Sequence, residues 1–406
     1  MRVTHLRSGD IAGGAKIAVD RIATATSTLP DLSNQIIDLY PSEFRRRTLY
    51  GFLRHRVEHK LFGWSLSETM LPDYRVAKKP ETSGDILHLH NLYGSGLRIE
   101  DLVLLTKKKN VIWTMHDNRW LSWAAPTDLR PRRLSFELIL QWMRTIGNRL
   151  LRSRLAKAIQ GATIVFPSNW LRDQAVASGF VDENHTAIIP NPLPIAFFDR
   201  SESKLWAKKR MGLDPGKPVV TFVSWKAWKS KGDMNKGYDL IELAIPNAKK
   251  DGPFTFAILG HDGAHIPGKL GAVWIQPDGS EEQIISLFQA SDLVLGASRE
   301  EVLPTVIQEA QALGVPAVVP GATGYQDVVL NGITGLHFSP GNTEDFAKKI
   351  SSLVRSPELR EQLGTQAAER AAHLWHPDRV RLQYSDLYEK SSIAKCQPWI
   401  SVRHER

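Results

Sequence analysis

The sequence predicts an α/β protein built of two doubly wound parallel-sheet domains. Three observations carry that expectation. The chain has 406 residues, more than one hydrophobic core comfortably supports. Short apolar runs rich in β-branched residues alternate with helix-length segments along most of it. The alternation stops at one proline-punctuated point and then starts again.

In the first half the strand candidates are "RVTHL" (2–6), "QIIDLY" (35–40), "ILHLH" (86–90), "VIWTMH" (111–116) and "ATIVFPS" (162–168). Near-continuous apolar strands separated by helical patterns indicate a parallel sheet covered on both faces. After "TAIIPNPLP" (186–194) the pattern restarts with "VVTFVSW" (219–225), "FTFAILG" (254–260), "AVWIQP" (272–277), "DLVLGAS" (292–298) and "VPAVVPG" (315–321). Pro190 and Pro192 flank Asn191 at the join. Proline fixes φ and disfavours helix in the residue before it, so the boundary is expected there, giving Rossmann-like domains at 1–190 and 191–375. From about 343 the pattern is helical: "TEDFAKKISSLVRS", "PELREQLGTQAAERAAHLW" and "PDRVRLQYSDLYEK". The segment 376–406 is expected to be a helix and tail packing back on the first domain.

Composition narrows the class. With 42% hydrophobic and 23% charged residues the chain reads as globular, and no apolar run approaches the roughly 20 residues that cross a bilayer. "MRVTHLRSGD" reads as a strand and loop, not a signal peptide, so the cytoplasm is the default expectation. The single cysteine, Cys396, has no partner for a disulfide or a thiolate metal site. Net charge is +9, concentrated in "FRRRTLYGFLRHRVEHK" (44–60), "LTKKKN" (105–110) and "LRPRRLSFELILQWMRTIGNRLLRSRLAKAIQ" (129–160). These basic stretches suit an anionic membrane surface or serve as solvated faces of core helices. Nucleic acid is not expected, for no recognition-helix, zinc-finger or aromatic RNA-binding signature accompanies them.

Ligands of doubly wound sheets bind outside the carboxyl ends of the strands, which directs attention to residues just after strands. "SREEVLPTVIQEAQALG" leads from a strand to a helix stopped by Gly314, with Pro304 at the helix start. Backbone amides beyond Val302 would point out of a positive helix end, a ready site for phosphate. Glu301 lies in the loop. Glu309 follows inside the helix, where a carboxylate could reach vicinal hydroxyls; on spacing alone a solvated helix residue explains it equally well. In the first half, Gly13 and Gly14 of "RSGDIAGGAKIAVDRI" fall between the first strand and first helix, where a backbone can approach a phosphate or sugar. The G-x-G-x-x-G spacing of a dinucleotide site is absent, although Asp38 ends the second strand where a ribose-binding acid would sit. "VIWTMHDNRW" places His116 and Asp117 after a strand, and an imidazole there could donate to a sugar hydroxyl or phosphate. His88 and His90 share one strand face but lack the third and fourth ligands of a zinc site, so no metal is expected. His261 and His265 flank the loop after Gly260. No serine-histidine-aspartate set, nucleophile elbow or Walker lysine loop is present.

Glu301, a hydrophobic-proline turn, Glu309, and then "ALGVPAVVPGATGYQDVVLNGITGL" (312–336) resemble the donor-binding signature of the retaining GT-B glycosyltransferases, glycosyltransferase family 4. The resemblance implies that the two domains face each other across a cleft. It implies that Glu309 holds the donor ribose, that Glu301 contacts the donor sugar, and that the segment Leu303, Pro304, Thr305 and Val306 holds sugar and diphosphate. Lys236 in "NKGYDLI" matches the family's Lys-Gly and would neutralise the diphosphate. An accompanying basic residue is expected among Lys226, Lys229 and Lys231, with Lys226 preferred. By the same resemblance Gly13 and Gly14 line the cleft, Gly260 lines the base pocket, and His116 acts beside Glu301 and Lys236 as a catalytic residue that orients the sugar.

The implied reaction moves a sugar from a nucleotide-diphosphate sugar to a glycan or lipid-linked acceptor with retention, without a metal or other cofactor, as in cell-surface polysaccharide synthesis at the inner face of a membrane. Val302-Leu303 stand where the family usually has Gly-Phe, and Asp327 where it has a later Glu. These departures keep open a catalytically silent carbohydrate-binding or scaffold protein of the same fold. An NAD(P)-dependent oxidoreductase is the other alternative, with the missing glycine fingerprint against it.

Overall fold

The computed structural model describes residues 1–8, 14–39, 84–92, 99–108, 110–118, 153–226 and 234–394. They fall into two compact units. The first takes the residues up to Ile189 apart from Ser168–Trp170, together with those from Arg381 on; the second takes Ser168–Trp170 and Pro190–Val380.

The first unit holds a six-stranded sheet in the order β2-β1-β3-β4-β5-β6, every pair parallel. Its strands are β1 (Arg2–Ser8), β2 (Ser33–Leu39), β3 (Ile86–Leu89), β4 (Asn110–Thr114), β5 (Thr163–Phe166) and β6 (Thr186–Ile188). Helices α1 (Gly14–Ser27), α2 (Ile99–Lys108) and α3 (Asn169–Ala177) run between strands. Val3, Leu6, Ile86, Leu87, Leu89, Ile112, Trp113, Val165 and Phe166 are buried, which is why these strands read as unbroken apolar runs.

The second unit repeats the plan in the order β12-β11-β10-β7-β8-β9, again all parallel. Its strands are β7 (Val219–Lys226), β8 (Thr255–His261), β9 (Ala272–Ile275), β10 (Leu293–Leu295), β11 (Ala317–Pro320) and β12 (Gly335–Phe338). Helices α4 (Lys204–Arg210), α5 (Tyr238–Lys249), α6 (Glu281–Ala290), α7 (Thr305–Ala312), α8 (Tyr325–Val328), α9 (Thr343–Arg355) and α10 (Pro357–Trp375) cover it, and α11 (Pro377–Ala394) follows. Ser203, Ser280, Asn342 and Ser356 cap α4, α6, α9 and α10 through their side-chain oxygens, so each of these helices starts where its sequence supplies an acceptor for an orphan amide. Apolar clusters lie in this unit around Phe222, Ile241, Phe256, Phe338 and Phe346, around Phe197, Phe288, Val319 and Trp375, and around Leu213, Val219, Leu259 and Leu287.

Of the four edge strands, β6 and β12 escape the sequence reading. β6 is three half-buried residues, and β12 carries Gly335 and His337 among its four, so neither presents a continuous apolar run. From Arg381 on, α11 packs in the first unit. Tyr384 and Tyr388 are fully buried there, Tyr388 Oη lies 2.9 Å from His88 Nδ1, and Arg381 donates to Thr28 Oγ1 at 3.2 Å. The basic stretch 44–60, most of 129–160, and Cys396 lie outside the described residues; within them, 153–158 are helical. No described helix is long and apolar enough to cross a membrane.

Candidate active site

The second unit's sheet grows in both directions from β7: β8 and β9 lie on one side, β10, β11 and β12 on the other. The carboxyl ends of β7 and β10 therefore flank the switch point of the sheet, where ligands of such folds usually sit in a crevice. Lys236 follows β7 and Glu301 follows β10. Lys236 Nζ donates to Glu301 Oε1 at 2.7 Å, with the side chains 40% and 23% exposed.

The backbone around this pair is tightly specified. Arg299 N donates to Asn235 O at 2.7 Å and Glu300 N to Asn235 Oδ1 at 3.2 Å, which ties the loop after β10 to the turn after β7. The Arg299 guanidinium clasps both carboxylate oxygens of Asp239 at 3.0 and 2.6 Å. Gly237 sits at φ 67°, and a Cβ on it would lie 2.0 Å from the Ala297 carbonyl oxygen. Both facts require glycine beside Lys236. Gly324 N donates to Glu301 O at 2.8 Å, and a Cβ there would lie 1.9 Å from Val302 O. The Tyr325 ring lies against Gly296, and its hydroxyl accepts from Ser298 N at 3.3 Å. Burial, and secondarily the Glu301 charge, push that phenol far above its ordinary pKa. The lysine-glycine and threonine-glycine-tyrosine stretches thus hold one loop from two sides.

Helix α7 begins directly beyond that loop. Pro304 is its N-cap residue and supplies no side-chain cap, so the amides of Thr305 and Val306 belong to the orphan donors of the first turn. They lie at the positive end of the helix dipole. Glu309 is 5% exposed, which rules out the reading of a solvated helix residue. Its neighbours in α7 are also buried and polar: Gln311 donates to Thr334 O and Oγ1 at 3.0 and 3.1 Å, and the Gln308 amide has no partner among the described residues. This helix thus buries more polar atoms beside its positive terminus than its described neighbours satisfy.

The remaining expected residues divide. Lys226 closes β7 and pairs in register with His261 beyond an irregularity of the ladder, whereas Lys229 and Lys231 lie outside the described residues. Gly260 is buried in β8, and its carbonyl accepts from Trp274 Nε1 at 2.8 Å. Trp274 lies so close over Gly263 that a Cβ there would come within 2.1 Å of the ring. Gly13 is outside the described residues. Gly14 opens α1 with nothing within 4 Å of where a Cβ would be, so no described atom presses on it.

In the first unit Asp38 does not stand alone as a ribose acceptor. Arg7 binds it at 2.6 Å and Asp20 at 2.5 Å. His116 follows β4, with Nε2 3.1 Å from His90 Nδ1; burial depresses its pKa to about 4, so it is neutral near pH 7. The expectation that His88 and His90 lack a third histidine does not hold, because β1 brings in His5, and nitrogens of His5, His88 and His90 lie within 4.8 Å of one another. That spacing suits a metal. Yet each of their nitrogens already faces a partner: His5 meets His90 and Asn34, His90 meets His5 and His116, and His88 meets Tyr388 and Thr114. Sequence reasoning also missed Asn235, Arg299 and Tyr325. Of these Tyr325 was legible, since it stands beside the glycine of a quoted motif.

With this geometry in place the comparison with known proteins is specific. Residues 233–370 match the family described as Glycosyl transferases group 1. The matched segment contains Lys236, Glu301 and Glu309. A D-inositol 3-phosphate glycosyltransferase of Rhodococcus jostii is 28% identical over 216 residues, covering 50% of this chain and 46% of that protein. An N-acetyl-alpha-D-glucosaminyl L-malate synthase of Bacillus anthracis is 24% identical over 53% of this chain and 58% of its own length. The chain thus spans about half the length of the curated relatives it matches. Sucrose-phosphate synthase from Thermosynechococcus elongatus superposes with a TM-score of 0.68 at 15% identity, covering 97% of this chain and all (100%) of that one. Anabaena HepE, solved with UDP and glucose, gives 0.61 at 15% identity over 96% of this chain and 100% of its own. The fold is that of GT-B glycosyltransferases.

Proposed function

We propose that this chain is a glycosyltransferase that takes a sugar from a nucleotide-diphosphate donor and passes it to a glycan or lipid-linked acceptor with retention of anomeric configuration, as a member of glycosyltransferase family 4. The carrying observation is the Lys236–Glu301 pair at the switch point of the second sheet, beside the uncapped start of α7 and the buried Glu309. Breaking a sugar–phosphate bond leaves charge on the departing diphosphate. Lys236 and the Thr305 and Val306 amides supply fixed positive potential for that charge in a partly dry site, which is the interaction that lowers such a barrier without a metal. Glu309 would hold the ribose hydroxyls, and Glu301 the donor sugar once Lys236 turns to the diphosphate. The leaving oxygen then takes the acceptor proton on the face it has vacated, which retains configuration and needs no protein nucleophile.

The activities for which the relatives are named and the UDP and glucose bound by HepE support a nucleotide-sugar donor. A role in cell-surface polysaccharide synthesis, with the basic stretches of the first half meeting an anionic membrane surface, completes the proposal. The test is transfer from UDP-, GDP- and ADP-sugars in the presence of EDTA, with the anomeric configuration of the product read by proton NMR. Transfer with retention supports the reading. Inverted product, or transfer abolished by EDTA and restored by Mg²⁺, would remove the retaining or metal-free part of it.

A further inference from the structure

Four side chains on one face of the first unit's sheet form a diagonal. Asn34 of β2 pairs in register with Val3, two positions before His5 of β1; His5 pairs with His88, two before His90; and Thr114 stands opposite His90 by the same register, two before His116. Each step across a strand thus advances two residues, which keeps every member on the same face. The contacts follow: His5 Nε2 to Asn34 Oδ1 at 3.4 Å, His90 Nε2 to His5 Nδ1 at 2.9 Å, and His116 Nε2 to His90 Nδ1 at 3.1 Å. His5 and His90 are fully buried.

The direction of every proton in this chain is determined. Asn34 Nδ2 donates to the Ala23 carbonyl at 2.8 Å and to Thr26 Oγ1 at 2.7 Å, while Thr26 sends its own proton to Ile22 O at 2.8 Å. The Asn34 amide is therefore oriented with Oδ1, an acceptor only, toward His5. A neutral imidazole has one N–H and one lone pair. His5 must carry its proton on Nε2, which leaves Nδ1 to accept from His90 Nε2–H. His90 Nδ1 must then accept from His116 Nε2–H. The last lone pair is on His116 Nδ1, a buried atom with no partner among the described residues.

We infer that Asn34, His5 and His90 are positioning residues that lock His116 in its Nε2–H tautomer and leave Nδ1 as a bare acceptor at the carboxyl edge of the first unit's sheet. The lock decides what His116 can do. Its donor is consumed by His90, so a ligand hydroxyl that reaches it must give its proton to Nδ1, and a phosphate oxygen, which can only accept, is repelled. Desolvation keeps the imidazoles neutral, His5 and His116 down to a pKa of about 4 and His90 well below its ordinary value, so the pattern holds at neutral pH. For the hydroxyl to be a sugar's, this inference rests on the glycosyl-transfer reading above; the tautomer itself does not.

The test is ¹⁵N NMR of the full chain labelled at histidine, which separates protonated from bare ring nitrogens without any activity assay. Expected is a protonated Nε2 and bare Nδ1 at His5, His90 and His116. His5→Phe removes the acceptor for His90 and should return His116 to a mixture of tautomers; Asn34→Ala, which removes the acceptor that fixes His5, should do the same and covers the case that His5→Phe does not fold. A protonated Nδ1 at His116 in the wild type, an unchanged His116 in folded His5→Phe, or a shift of His5, His88 and His90 together on adding Zn²⁺ would overturn it. Loss of sugar transfer with the tautomers intact would count against the enzymatic reading and leave the lock standing.

Discussion

Lys236 Nζ and Glu301 Oε1 are 2.7 Å apart, although 65 residues separate them in the chain. They meet because β7 and β10 are hydrogen-bonded neighbours from which the sheet grows in opposite directions, so the loops after both strands rise into one crevice. In the proposed reaction a donor diphosphate would compete with Glu301 for the same ammonium.

Replacing either partner should therefore give different results. Lys236→Ala removes positive charge from the leaving group and is expected to lower turnover about 10²-fold. Glu301→Gln frees Lys236 and removes a negative charge; because a half-exposed ion pair is worth at most about 1 kcal/mol, a nucleoside diphosphate should bind only severalfold more tightly while sugar transfer falls. Titration calorimetry with the matching nucleoside diphosphate, beside initial rates, checks both. Equal weakening of binding in the two variants would show that the pair acts only structurally.

Gly324→Ala should damage the site through the backbone. Its Cβ would stand 1.9 Å from the Val302 carbonyl oxygen, in a residue whose amide holds Glu301 O, so the loop must move. Destabilisation of roughly 2 kcal/mol or more is expected in urea unfolding, with loss of nucleotide binding. Gly268→Ala, with nothing within 4 Å of the new methyl group, is the control and should be near neutral.

Motif spacing made the loop after β10 and helix α7 legible because loops after parallel strands carry fixed local signatures. Glu301, Pro304, Glu309 and Gly314 all read correctly as loop, helix start, helix and helix stop. The partnerships were not legible. Nothing in "MNKGYD" says that Asn235 and Asp239 hold Arg299, and nothing in "RVTHLRS" says that His5 meets His90, since parallel pairing joins residues far apart through register alone. The short edge strands β6 and β12 were missed for another reason: β6 has only three residues and runs straight into the Pro190–Pro192 punctuation, and β12 has Gly335 and His337 in alternate places, whereas the equally short edge strand β9 reads as the apolar run AVWI.

Acid should unfold the first unit early. Burial depresses the pKa of both His5 and His116 to about 4 from an ordinary value of 6.5, and places His88 and His90 well below it as well. The unfolded chain then binds more protons than the folded one below pH 6.5, so stability is complete above that pH and falls as pH drops toward 4. His5 and His116 together should account for several kcal/mol of the loss, roughly 3 each. Urea midpoints from pH 8 to 5 should fall steeply below 6.5, and the fall should be shallower in His116→Gln. A flat profile would mean that these imidazoles are not desolvated.

A stability effect remote from the crevice is expected at Asp292, which is 6% exposed and accepts from Lys208 Nζ at 2.7 Å, Val219 N at 2.9 Å and Lys204 Nζ at 3.2 Å. These partners hold its carboxyl below the usual range against the opposing effect of burial. Asp292→Asn leaves the buried Lys208 ammonium without its counter-charge and should destabilise by about 3 kcal/mol. Thermal unfolding measures this, and a loss under about 1 kcal/mol would show that Lys208 finds other compensation.

The central claim is that the crevice between β7 and β10 binds a nucleoside diphosphate. Its most direct test is thermal unfolding of the purified chain with UDP, GDP, ADP and NAD(P), beside Lys236→Ala and Glu309→Ala, because a ligand that binds only the folded state raises its stability by mass action. The account predicts a raised Tm with one nucleoside diphosphate that both variants abolish. A rise with NAD(P) alone, a rise that survives in both variants, or no rise with any of the four would contradict it.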